Sequence, residues 1–351
     1  MNGGTIWWGQ VGNSLQLLSE VTNALRDGRS AVLQLPRRLP WRQDFYEAVD
    51  FRRSAFGGVK RMMRLDWNPG EEPGEFVLDE LCSNRVKADY WPGQTYAQYL
   101  GSREDILLND YYVWVCGIHS KADMAKWVDF VTQYDQASQT LESRAVFVLE
   151  YDGGQLEVNG MHSIAYTVEN YDCRVFCLET VASQRSTAVR EYQAELALHL
   201  GDGDPELCGA LLDAGEQLLQ NPVKTAQGIL SQACNAQGQP FGRQSEQQLT
   251  SAAWKAAIVL LFPVLEEYRL AFISRYEHAL ARHLPISNSN GDRVTDPYDL
   301  EIGAIQYITG SSPHDFPGFD SEAVRLCRKA RNLLAHNKPV PYGDARRILA
   351  L

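Results

Sequence analysis

Long apolar runs are missing from this 351-residue chain. The greasiest stretch, Ala256 to Leu265, falls well short of the roughly 20 residues a bilayer span needs and contains Pro263, so a membrane-spanning helix is excluded. The N-terminal Met1-Asn-Gly-Gly-Thr-Ile-Trp-Trp has neither a basic segment nor a continuous apolar stretch, and no secretory leader is expected. Paired cysteine spacing is missing too. Cys82, Cys116, Cys173, Cys177, Cys208, Cys234 and Cys327 are odd in number and scattered without a C-x-x-C. Cys173 and Cys177 lack the histidines or second cysteine pair of a zinc site, so reduced thiols in a cytoplasmic protein are expected, with no metal and no other cofactor. Positive charge is in deficit: 33 Lys and Arg against 44 Asp and Glu leave a formal net charge of −11. Coating nucleic acid without regard to sequence rests on clustered cations, so that class is excluded, and any phosphate contact must be local.

What is present reads as a globular protein in parts, with 44% hydrophobic residues. Residues 1–183 alternate helix and strand. Ser14 to Asp27 places Leu15, Leu18, Val21, Thr22 and Leu25 at helical spacing and closes on Gly28; Ala31-Val-Leu-Gln-Leu follows as a short buried strand ended by Pro36. Helix Gln43 to Arg52, strand Lys60 to Leu65, strand Tyr111 to Gly117, helix Ala122 to Tyr134, strand Ala145 to Glu150 and strand Cys173 to Leu178 complete the pattern. Strands separated by helices predict crossover units and a mainly parallel sheet covered on both faces. Residues 184–249 predict a helical connector, with amphipathic stretches Ala188 to Leu200 and Leu207 to Leu219, and then a Gln-, Gly- and Asn-rich linker from Asn235.

Ala145-Val-Phe-Val-Leu-Glu150-Tyr-Asp152, an apolar strand with an acidic end, resembles the Walker B element of P-loop NTPases. The phosphate-binding half of that resemblance is missing, because no G-x-x-x-x-G-K-[ST] occurs anywhere. After the first strand the chain reads Pro36-Arg37-Arg38-Leu39-Pro40-Trp41-Arg42-Gln43; two prolines remove N–H donors where a phosphate loop must present them. Gly9-Gln-Val-Gly12-Asn-Ser14 carries asparagine where the lysine belongs. The expectation is an NTPase-like domain that does not hydrolyse ATP.

Residues 250–351 carry the strongest chemical signal. From Ser321 onward Ala323, Cys327, Ala330 and Leu334 recur at helical spacing, with Leu326 and Leu333 widening the apolar face. Arg325, Arg328, Lys329, Asn332 and His336 fall opposite, Ser321 or Asp320 can cap the start, and Pro339 ends the helix beyond His336. Arg331 can clamp a phosphate and His336 can move a proton near neutral pH, the minimum needed to cut a phosphodiester. Positions five apart on a helix are rotated by roughly 140°, so one rigid helix cannot aim both at one phosphate. Asn332, four before His336, shares its face and can fix the imidazole tautomer. Two copies meeting across a twofold axis would gather both pairs around one cleft.

The pattern Arg331-Asn332-x3-His336 resembles the HEPN family, whose ribonuclease members carry Arg, a polar residue and His near the end of a late helix. A long helix from Ser251 to about His283, kinked by Pro263, a short one around Asp299 to Ile308, the Arg331 helix and a last one from Gly343 to Leu351 match the family's α-bundle. The resemblance implies metal-independent RNA cleavage by a homodimer, with Arg331 on the scissile phosphate, His336 as acid and base for the 2′-hydroxyl, and Asn332 in support. Arg325, Arg328, Lys329, Lys338, Arg346 and Arg347 are the expected RNA contacts. HEPN toxins that a partner nucleotidyltransferase modifies carry tyrosine two residues after the histidine; here Lys338 stands there and the nearest tyrosine is Tyr342. The combination resembles prokaryotic toxin and antiviral-defence proteins, in which a sensor domain or neutralising protein partner restrains a ribonuclease. A scaffold that only dimerises or docks into a complex is the competing expectation.

Overall fold

The computed structural model describes residues 2–55, 60–183, 186–287 and 291–351. The chain divides into two compact units, Met1–Asp172 and Cys173–Leu351. In the first, α1 (Gly3–Gln10) and α2 (Gly12–Arg26) precede β1 (Ala31–Gln34), α3 (Arg42–Ser54) and β2 (Arg61–Asp66). Three short helices, α4 (Pro73–Leu81), α5 (Asn84–Ala88) and α6 (Tyr96–Gly101), lead to β3 (Tyr111–Ile118), α7 (Lys121–Ala137), β4 (Val146–Tyr151) and β5 (His162–Ala165).

The five strands form one parallel sheet in the order β2-β3-β4-β1-β5. Every residue of β4 is buried, as a central parallel strand with both faces covered requires. Its side chains alternate. Phe147, Leu149 and Tyr151 join Met124, Trp127, Phe130, Val131 and Tyr134 of α7 in one apolar layer. On the opposite face Trp114 of β3 meets Phe45 of α3 edge-on, and Phe45 in turn meets Trp8 of α1, with ring centroids 5.9 and 4.9 Å apart. Burying side chains of this size stabilises by about 1.5–3 kcal/mol each.

The strand expected over Cys173 to Leu178 is helical instead: α8 (Asn170–Thr180) runs from the first unit into the second. Cys173, Phe176 and Cys177 are fully buried at spacings of three and one, the helical rather than the alternating pattern. The fifth strand is β5, in which Ile164 alone is buried; an edge strand needs little apolar sequence, so it leaves little trace in the pattern.

The second unit is helical: α9 (Thr187–Gly201), α10 (Pro205–Asp213), α11 (Glu216–Gln220), α12 (Pro222–Gln232), α13 (Glu246–Ala281), a small antiparallel pair β6 (Ile286–Ser287) and β7 (Arg293–Val294), α14 (Ile302–Ser311), α15 (Ser321–Ala335) and α16 (Tyr342–Ile348). The spine is α13, against which α9, α12, α15 and α16 pack, so the segment read as a connector contributes helices to this unit. Residues 184 and 185, at the expected junction, lie outside the described residues. The single helix expected from Leu207 to Leu219 is two, parted at Gly215, whose φ of 55° strains any residue with a side chain. Ser245 and Gln248 close a capping box that starts α13 ahead of Ser251. Its departure from helical geometry lies at Tyr276 (φ −119°, ψ 24°), not at Pro263. Among the described residues no helix is long and apolar enough to cross a membrane.

Candidate functional site

Helix α15 begins at Asp320, whose carboxylate accepts from the Glu322 and Ala323 N–H groups at 2.8 and 3.1 Å. Its buried face is Ala323, Val324, Leu326, Cys327, Ala330 and Leu334. The end is equally defined. Asn337 adopts φ 55° and donates to the Leu334 carbonyl at 3.2 Å, while the Lys338 N–H donates to Leu333 at 2.9 Å. These are the two bonds of a Schellman stop, with asparagine in the left-handed position usually taken by glycine. His336 is therefore the C-cap residue, exposed, with φ −102° and ψ 21°. The indole of Trp254 in α13 donates to the Leu334 carbonyl at 2.8 Å and ties this last turn to the spine.

Arg331 is half-buried and pairs with Glu301, just before α14, at 3.1 Å. Asn332 is exposed; its main-chain carbonyl accepts from the His336 N–H at 3.2 Å. No side-chain hydrogen bond joins Asn332 to the His336 imidazole among the described residues; the bond between the two residues is the ordinary main-chain bond of the helix end, which leaves the tautomer unfixed. Within one chain, then, half-buried Arg331 in the last turns of α15 and exposed His336 at its C-cap have no bond between their side chains among the described residues.

The expected RNA contacts are exposed, and several are already paired. Arg347 and Arg325 meet Glu322 at 2.9 and 3.9 Å, Lys329 meets Asp344 at 2.7 Å, and Arg328 donates to Gln306 at 3.0 Å. Lys338 and Arg346 are also exposed. Pairs this open to solvent are worth at most about 1 kcal/mol and exchange readily for phosphate, but they shrink the net positive field that α15 presents.

In the first unit, Glu150 is not at the disposal of a nucleotide. It is 2% exposed and accepts from the Arg42 guanidinium, from Tyr46 Oη at 2.8 Å and from Trp114 Nε1 at 2.9 Å. Burial works against the Arg42 charge, yet Glu150 and Tyr46 more than offset it and hold the guanidinium above its ordinary range. Burial, then Glu150, push the neighbouring Cys116 thiol up to about 12, so it stays protonated. Asp152 is hydrogen-bonded to His119 Nδ1. The alternative glycine-bearing segment is divided between two helices, Gly9 in α1 and Gly12 in α2, and Asn13 donates to the Thr167 carbonyl and to Asp172 at 2.8 and 2.9 Å. With both acidic side chains engaged and no G-x-x-x-x-G-K-[ST] in the sequence, isothermal titration with ATP and magnesium is expected to show no high-affinity binding, and hydrolysis is expected to stay at background. Saturable turnover by the purified chain would contradict this.

Sequence reading missed the Arg42, Tyr46 and Trp114 cradle around Glu150. Its one trace is an acidic residue inside an apolar strand, and nothing local to that strand names its partners. Neither known families nor curated proteins match the chain.

Proposed function

We propose that the second unit is a HEPN-type endoribonuclease that cuts RNA without a metal, at a composite site formed where two copies of α15 meet. The observation that carries this reading is the end of α15. An apolar face locks the helix to its unit, a Schellman stop fixes its terminus, His336 is left toward solvent, and half-buried Arg331 is engaged by the solvent-open Glu301. In the reaction, His336 takes the proton of the 2′-hydroxyl, the oxygen attacks the phosphorus, and Arg331 balances the charge gathering on the phosphoryl oxygens. The 5′-oxygen leaves with a proton returned by protonated His336, and a 2′,3′-cyclic phosphate remains. Phosphate must displace Glu301 from Arg331, an exchange that an exposed pair permits at little cost.

The first unit, a degenerate relative of P-loop NTPases in this reading, restrains or triggers the nuclease. The whole is then a cytoplasmic toxin or antiviral-defence protein with a neutralising protein partner. The paired cations of α15 favour one further reading, a scaffold that dimerises without cleaving. Growth separates the two, since an active ribonuclease stalls cells that express it and a scaffold does not.

The composite site is tested by complementation. Co-expressing an Arg331→Ala chain with a His336→Ala chain, each inactive alone, is expected to restore part of the activity, because one cleft of the mixed dimer keeps an intact half from each partner. A strictly monomeric, fully active protein in light scattering would rule the shared cleft out.

A further inference from the structure

The carboxyl edge of the five-stranded sheet holds a second constellation, independent of the ribonuclease reading. Gln34 of β1 and Tyr151 of β4 are register partners, and the Leu35 N–H donates to the Tyr151 carbonyl at 2.9 Å. Asp152 and Pro36-Arg37-Arg38 therefore leave the sheet side by side. On the other flank of β4, Ile118 pairs with Tyr151 and sets His119 beside Asp152. From β1 the chain crosses to β2 at one edge of the sheet; from β4 it crosses past β1 to β5 at the other. The gap between β1 and β4 is thus the point of diverging connections, where open parallel sheets receive ligands.

The backbone here departs from regular strand geometry in a directed way. Between Val115 and Ile118, β3 spends one more residue than β4 does between Leu149 and Tyr151, and Gly117 in that bulge has φ 80°. Bulges re-aim the side chains that follow them. A Cβ on Gly153 would collide with the His119 carbonyl, so the approach of the two strand ends depends on glycine. The product is a histidine and carboxylate pair with unequal exposure: 61% for His119 and 13% for Asp152. In the tautomer that donates Nδ1–H to Asp152, a neutral imidazole carries its acceptor lone pair on Nε2. Arg37 and Arg38 are exposed, and their guanidinium groups have no partner among the described residues. Arg42, bound to Glu150, also donates to the Arg37 carbonyl at 3.4 Å and steadies the loop.

We propose that this edge binds a small phosphate ester that carries a free hydroxyl, the class of a sugar phosphate. Arg37 and Arg38 hold the phosphoryl oxygens, and His119 Nε2 accepts the hydroxyl proton in a hydrogen bond. The test is calorimetric titration of the full chain with ribose 5-phosphate at constant ionic strength, with ribose and inorganic phosphate as separate arms. Ribose 5-phosphate is expected to bind saturably, phosphate more weakly, and ribose not at all. Replacing both arginines by alanine is expected to weaken ribose 5-phosphate by about tenfold or more, the scale of a lost hydrogen bond to a charged group. His119→Asn, which still donates to Asp152 but removes the distal acceptor, is expected to weaken ribose 5-phosphate and leave phosphate unchanged. These side chains are exposed, so unchanged thermal unfolding of the variants identifies the effects as local. Failure of ribose 5-phosphate to saturate at millimolar concentration overturns the proposal. So does equal binding by wild type and the double arginine variant, or capture of an RNA oligonucleotide through Arg37 and Arg38 without any affinity for ribose 5-phosphate.

Discussion

Alanine in place of His336 is expected to abolish RNA cleavage, and any growth arrest that goes with it, without disturbing the fold. The imidazole is exposed, and the bonds that stop α15 are main-chain bonds of residues 333, 334, 337 and 338, which alanine preserves. A positioned acid or base is worth about 10²–10⁴ in rate, so the residual signal should fall to background in a gel assay on labelled RNA. Arg331→Ala should be equally inactive, because its exposed pairing with Glu301 contributes little to stability while its guanidinium is the only phosphate clamp the proposed reaction has. Wild-type cleavage should persist in EDTA and leave a cyclic phosphate. Undiminished cleavage by His336→Ala would remove this residue from the mechanism, and circular dichroism matching the wild type secures that the loss is chemical rather than structural.

The second large effect is on stability. Glu150→Leu is expected to destabilise the first unit by about 3–5 kcal/mol, the scale measured when one partner of a buried pair is removed. The substitution keeps much of the volume but strands the Arg42 guanidinium, the Tyr46 hydroxyl and the Trp114 indole N–H without their shared acceptor. Tryptophan fluorescence isolates this change, since of the eight tryptophans all except Trp254 lie in the first unit. The fluorescence midpoint in guanidinium chloride should drop sharply. Adding Arg42→Met should recover part of the loss, because an apolar pair costs less to bury than a single unmatched charge. An unchanged midpoint in Glu150→Leu would show that the cradle is not a structural lock.

Much of the fold could be read along the chain because its signals are local. The periodic faces of α2, α9 and α15, the apolar runs of β1, β3 and β4, and Asp320 ahead of α15 each act within a few residues of themselves. The helices α4, α5 and α6 were illegible because they are too short to show a period. Cys173 to Leu178 misled because a short apolar run satisfies both periods, and β5 was hidden because an edge strand buries one residue of four.

Sequence by itself determined that α15 is amphipathic and that Arg331, Asn332 and His336 belong to its end, since periodicity is a property of neighbouring residues; it placed the stop at Pro339, whereas the left-handed Asn337 ends the helix at Ala335 and leaves His336 as the C-cap. Only the tertiary structure decided how the charges are spent. Glu150 is taken by Arg42, more than 100 residues earlier in the chain; His119 is brought to Asp152; and Arg331 and Lys329 are matched to Glu301 and Asp344 from flanking segments. Such pairings depend on which strands become neighbours and which helices pack together. Those choices are made by burial over the whole chain, and a stretch of sequence carries no record of the side chain that will come to lie against it.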